Sequence, residues 1–190
     1  ASCSDDETVR VWDPTAGGGA LHVLEGHSAF VNGVTAFVDA NGARRVASWS
    51  YDKTVRVWDP TAGGGALHVI EGDSDHVNGV TAFVDANGAP RVASCSDDET
   101  VRVWDPTAGG GALHVLEGHS AFVNGVTAFV DANGARRVAS WSYDKTVRVW
   151  DPTAGGGALH VIEGDSDHVN GVTAFVDANG APRVASCSDD

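Results

Sequence analysis

Residues 1–92 recur without a single change as residues 93–184, and each 92-residue unit is two similar halves of 46 residues. The run Ala1-Ser2-Cys3-Ser4-Asp5-Asp6 returns as Ala47-Ser48-Trp49-Ser50-Tyr51-Asp52, and again from Ala93, Ala139 and Ala185. A chain copied at a fixed short period must fold as one small unit made several times. Each unit buries its apolar face against a neighbour rather than within itself. A site present in one copy only is therefore not expected, and the chain constrains architecture far more than cellular role.

Turn signals cut each period into four short strands. Val77-Asn78-Gly79-Val80-Thr81-Ala82-Phe83 is rich in β-formers and runs into Asp85-Ala86-Asn87-Gly88, where Asn-Gly predicts a hairpin. Arg91–Ser96 follows, then the polar turn Asp97-Asp98-Glu99, then the alternating run Thr100–Asp105. Pro106 ends that run, and Gly109-Gly110-Gly111 leads to a fourth strand over Ala112–Leu116. No segment has the length or periodicity of an amphipathic helix, so the fold class is all-β.

At this point the sequence resembles a known family. Gly26-His27 followed by Trp58-Asp59 at the end of a third strand matches the Gly-His…Trp-Asp signature of WD-repeat β-propellers, and the turn Ser50-Tyr51-Asp52-Lys53-Thr54 is similar to theirs. The resemblance extends over essentially the whole chain. It implies four-stranded antiparallel blades, four per chain, in a single unit over residues 1–190. It also implies a buried hydrogen-bond network of His27, Ser48 or Ser50, Asp52 and Trp58, repeated by His119, Ser140 or Ser142, Asp144 and Trp150. Such a network gives a buried indole and imidazole the partners they need. A catalytic Ser-His-Asp reading of the same residues is the alternative, and their recurrence argues against it.

The other half of each unit departs from the signature. Asp73 replaces the histidine and is followed by Ser74-Asp75-His76, and Asp165, Asp167 and His168 repeat the arrangement. The network there must be rewired, with His76 as a candidate substitute. Asp73, Asp75 and His76 are also cation ligands by type, although exposed loop residues are the simpler reading. Phe30, Asp75 and His76, with Phe122, Asp167 and His168, are the variable loop residues expected to face a binding rim.

Each half carries six acids against three bases, which with Asp189 and Asp190 gives a net charge of −14. Such a surface repels phosphate backbones, so nucleic acid is not an expected partner. No leader or apolar span is visible, and a membrane is not expected either. Cys3, Cys95 and Cys187 occupy one position at 92-residue spacing, which reads as buried free thiols in a reducing compartment such as the cytoplasm. No phosphate-binding glycine loop, Cys-x-x-Cys or His-Glu-x-x-His is present, so neither an enzyme nor a cofactor is expected.

The two halves alternate, with Cys3 against Trp49, Asp5 against Tyr51 and Glu7 against Lys53. An alternating pattern closes without mismatch only around an even number of blades. The chain starts in a second strand and ends after another, one strand more than four closed blades need, and the surplus is assigned to residues 185–190. The split blade closes either within one chain, as a four-bladed ring, or between two. The wide rings of the family it resembles imply an eight-bladed ring from two chains, a non-catalytic scaffold completed by joining split blades. Identity through every surface position suggests engineering or recent amplification, without a dedicated ligand. The alternative is a natural WD-repeat interaction module that binds peptides or proteins on one rim.

Overall fold

The computed structural model describes residues 1–189, and Asp190 lies outside them. Seventeen strands are present: β1 (Ser2–Cys3), β2 (Val9–Val11), β3 (His22–Leu24), β4 (Val31–Val38), β5 (Arg44–Ser50), β6 (Thr54–Trp58), β7 (His68–Glu71), β8 (Val77–Val84), β9 (Pro90–Ser96), β10 (Val101–Trp104), β11 (His114–Leu116), β12 (Val123–Val130), β13 (Arg136–Ser142), β14 (Thr146–Trp150), β15 (His160–Glu163), β16 (Val169–Val176) and β17 (Pro182–Ser188). They form three complete antiparallel sheets, β4–β7, β8–β11 and β12–β15, each in sequential order. A three-stranded sheet, β1–β3, precedes them and a two-stranded sheet, β16–β17, follows.

The hairpin expected at Asn87-Gly88 forms, with a longer loop than a two-residue turn. Asp85 N–H donates to the Ala89 carbonyl at 2.9 Å, Gly88 N–H donates to the Asp85 carbonyl, and Gly88 takes φ 81°. This is a tight turn followed by a left-handed residue, a position where only glycine avoids steric cost. The Asp85 carboxylate caps the loop by accepting from Asn87 and Ala89 N–H.

Blades stack through their faces. Ile70 on the outer strand β7 shares one buried cluster with Val77 and Val80 of the next inner strand and with Trp104 of the next third strand. Each inner strand carries a bulge at its second residue, as between Val31 and Gly33. The bulge turns Asn32 out of the ladder, and its amide donates to the Val77 carbonyl of the next blade at 3.0 Å. Asn78 and Asn124 do the same to Val123 and Val169. The second-strand residues also reach forward. Trp49 lies over Gly33, where any Cβ would sit 2.0 Å from the indole, and donates to the Asn78 carbonyl. Cys95 joins Val123 and Val126 of the following inner strand. The large-small alternation thus acts from second strand to next inner strand.

Candidate functional sites: buried networks, an aromatic rim and two incomplete ends

In the blade β4–β7, strand alternation turns Ser48 and Trp58 to the same interior face. Trp58 Nε1–H donates to Ser48 Oγ at 2.8 Å, and Ser48 Oγ lies 2.7 Å from His27 Nε2. His27 Nδ1 lies 2.7 Å from Asp52 Oδ2. With Asp52 ionised, Nδ1 carries the proton and Nε2 accepts the serine hydroxyl. Asp52 also accepts from Ser28 N–H, Thr54 N–H and the Thr54 hydroxyl. Burial pushes the Asp52 carboxyl up, but the bonds from His27 and Thr54 outweigh this and hold it well below the usual range. The same arrangement recurs around His119, Ser140, Asp144 and Trp150. Of the serine alternatives, Ser48 and Ser140 enter the network. Ser50 and Ser142 instead bond the Ala29 and Ala121 carbonyls and accept Asp52 and Asp144 N–H, pinning the turn.

These distances are those of a Ser-His-Asp relay, yet Ser48 is fully buried and its oxygen is held by the Trp58 indole. No substrate carbonyl reaches it. The network ties β5 and β6 and the turn between them to the loop that leads into β4.

The blade β8–β11 is rewired by a residue that the sequence reading did not single out. Arg102 Nη1 lies 2.8 Å from Asp73 Oδ1 and also binds Asp98 Oδ2. Ser94 donates to Asp73 at 3.0 Å and accepts from Trp104 Nε1–H. Arg102 lies directly across the ladder from Ser94, which brings it within reach. Burial pushes Asp73 up to about 6 against the pull of Arg102, whereas Asp98, also raised by burial, is brought down to about 2 by Thr100, Ser74 and Arg102. His76 does not substitute for the missing histidine. It sits on the rim, with its ring stacked 4.4 Å from Tyr51.

The rim residues are brought together in rows. Phe30, Tyr51 and His76 form a row that passes from one blade to the next, with Tyr51 stacked on His76 and Phe30 tilted against Tyr51, and Phe122, Tyr143 and His168 repeat it. Beside them, Asn32, Asn78 and Asn124 with Tyr51, Tyr143, Asp97 and Phe122 line a cleft of about 480 Å³. Lys53 does not find a glutamate: it donates to the Ser74 carbonyl and lies 3.7 Å from Asp75. As cation ligands, the trio Asp73, Asp75 and His76 does not assemble, because Asp73 faces inward to Arg102. Asp75 and His76 instead approach Asp97, with one donor atom from each within 4.8 Å of the others. Lys53 already balances Asp75, and the trio carries no metal assignment.

The two ends expose residues whose sequence twins are buried. Trp12 is 41 % exposed and its twin Trp104 1 %; Ile162 is 41 % exposed and its twin Ile70 2 %. Ile70 and Trp104 belong to one cluster. Trp12 directly follows β2 of the first, three-stranded sheet, and Ile162 lies in β15 of the last complete sheet. Gly72 shows the same effect, since a Cβ there would meet the Trp104 ring at 2.8 Å while one on Gly164 would meet nothing within 4 Å.

Comparison with known proteins agrees with this geometry. The model for "WD domain, G-beta repeat" matches residues 1–13, 18–59, 64–105 and 110–151. No curated protein matches the chain. Among solved structures, the WD40 β-propeller domain of Doa1 is similar at 26 % identity with a TM-score of 0.72. That match covers 98 % of this chain and 56 % of the other, so the chain spans little more than half the length of that solved domain. No helix among the described residues is long and apolar enough to cross a membrane. With four matched repeats, four-stranded blades and the Trp-Ser-His-Asp network in place, the chain belongs to the WD40 family.

Proposed function

We propose that this WD40 chain is a non-catalytic symmetric scaffold whose incomplete ends complete each other across two copies, giving an eight-bladed ring with a twofold axis. The observation that carries it is the pair Trp12 and Ile162, two exposed residues that are twins of a buried pair in one core cluster. Burying an isoleucine side chain contributes about 1.5–3 kcal/mol, and the joint buries a tryptophan with it. A blade count of four fills little more than half of a solved propeller, which supports an arc that needs a second arc rather than a ring closed by one chain. Identity over 92 residues in every position further supports an engineered or recently amplified array without a dedicated ligand. Single-particle imaging tests this: two-chain rings with eight lobes are expected, and isolated arcs or four-lobed rings would sink the proposal.

A second reading is favoured by the rim. WD40 propellers are generally protein-interaction scaffolds, and the rows Phe30–Tyr51–His76 and Phe122–Tyr143–His168 present exposed aromatic surface beside carboxylates on a strongly acidic chain. Such a surface suits peptides carrying basic side chains. Titration with an arginine-rich peptide should saturate at a stoichiometry tracking the number of rows; no binding in dilute salt would leave the scaffold reading alone.

A further inference from the structure

The second-strand motif occurs at both ends of the chain, and a two-chain ring has one slot for it at each joint. Resting on the ring reading above, we infer that β1 is a placeholder: on assembly, β17 of one copy displaces β1 of the other and completes a hybrid blade of β16 and β17 with the partner's β2 and β3.

Within one chain β1 occupies the slot beside β2. It pairs Ser2 with Arg10 and Cys3 with Val9, in the register of Ser94 with Arg102 and Cys95 with Val101. Ser2 Oγ accepts from Trp12 Nε1–H at 2.8 Å, as Ser94 accepts from Trp104. The imitation stops there. The interior ladder continues through Ala93 with Val103 and Val92 with Trp104. β1 pairs with β2 at those two positions and forms an edge of its three-stranded sheet.

β17 carries the whole motif. It pairs with β16 from Val169–Ser188 to Val176–Pro182, pair for pair the register of β8 with β9. In the interior register, Cys187, Ser186, Ala185 and Val184 meet the partner's Val9, Arg10, Val11 and Trp12, four positions where β1 pairs at two. The polar network points the same way. Asp165 holds Ser186 at 3.1 Å but lacks the arginine that Asp73 has in Arg102. Arg10, twin of Arg102, is paired with Asp6 at the other end and has no counterpart of Asp73. Docking β17 beside β2 brings Asp165 and Ser186 to the partner's Arg10 and Trp12, restoring the Asp-Arg-Asp and Ser-Trp set of the interior blade. Each buried polar group then has its partner, as buried groups require. This moves the surplus copy from residues 185–190, where the strand count placed it, to residues 1–6.

The cysteines read out which copy sits in the slot. Cys95, in the filled interior slot, is fully buried, and burial pushes its thiol well above the ordinary value. Cys187 is exposed in one chain and Cys3 is half-buried. Native alkylation with iodoacetamide followed by peptide mapping, on full-length protein of known native mass, tests the inference. In a two-chain assembly Cys187 should join Cys95 in reacting more than about tenfold slower than Cys3, because a slotted strand reacts only on local opening. A two-chain mass with Cys3 protected and Cys187 reactive, or with both equally reactive, would overturn the exchange while leaving the ring intact. A one-chain mass would overturn the ring reading, and the exchange with it. Deleting residues 1–4 should preserve the two-chain mass, whereas deleting residues 185–190 should weaken assembly by more than about a hundredfold; the reverse pattern would also overturn the exchange.

Discussion

Ile70 and Ile162 are the same residue in the same sequence context, as are Trp104 and Trp12, yet one pair is buried and the other exposed. Local sequence cannot account for the difference, since the surrounding residues are identical for tens of positions. What differs is whether a next blade is present. Trp49 and its twin Trp141 also differ: Trp49 bonds the Asn78 carbonyl, while the buried Trp141 indole nitrogen has no partner among the described residues. A repeat that buries its face on a neighbour leaves an unfinished surface wherever the array stops. Trp12 and Ile162 are the twins of two residues that share one interior cluster.

The comparison breaks most visibly at the tryptophans. Trp104→Ala should destabilise the fold by about 3–5 kcal/mol, the usual cost of emptying a fully buried aromatic site, and should lower the midpoint of urea unfolding. Trp12→Ala should leave the single chain folded by circular dichroism and yet abolish the two-chain mass, because each ring loses the tryptophan at both joints. Equal loss of folding in both variants would mean that Trp12 is already buried within one chain.

Isoleucine gives the next largest effect. Ile70→Ala should cost about 2–5 kcal/mol at any protein concentration. Ile162→Ala should cost as much only where the ring is populated, so its melting temperature should approach the parent's on dilution. A deficit that does not change with concentration would place Ile162 in the core of the single chain.

Acidification separates the interior networks. Asp73 has a folded-state value raised to about 6, so the folded protein binds its proton more tightly than the unfolded chain. That carboxyl favours the fold below about pH 4, loses this contribution between about pH 4 and 6, and is flat above. Roughly two units correspond to about 3 kcal/mol. In the blade β12–β15 the signs reverse. Burial lowers His119 despite Asp144, so its contribution falls as pH drops below 6.5. Asp144 is lowered by Thr146 and His119 in spite of burial, so its contribution is lost as pH falls below the ordinary carboxylate value. The stability difference between parent and Asp73→Asn should therefore grow in the parent's favour from pH 7 to pH 5, measured by urea unfolding. A difference independent of pH would mean that Arg102 keeps Asp73 ionised throughout. The smallest effect is at Lys53, whose exposed bonds to Ser74 and Asp75 are worth under about 1 kcal/mol. Lys53→Ala should move the melting temperature by no more than a few degrees.

Much of this architecture was readable from the residues. Asn-Gly turns, alternation and the Pro-Gly stretch mark the four strands, and their bounds differ by one or two residues, as at Val77–Val84 against the expected Val77–Phe83. The family resemblance identified His27, Asp52 and Trp58, but could not choose between Ser48 and Ser50. Both lie on the same face of one strand, and only the distance to Trp58 separates them. Arg102 carries no sequence-local mark of its role, since it lies 29 residues from Asp73 while the nearby His76 stands where an imidazole is looked for. The usable signal was electrostatic: a carboxylate at a buried position needs a cation, and Arg102 is opposite Ser94. Which second-strand copy is surplus was unreadable for a different reason. Both copies have one sequence, and they differ only in whether an inner strand precedes them, as β16 precedes β17.

The account rests on two chains completing one ring, and mass tests that most directly. Denatured and native masses recorded on one sample should give 19.5 kDa for the chain and twice that value for the assembly. A native mass equal to the denatured one would contradict the account, because Trp12 and Ile162 would then have no partner outside the chain.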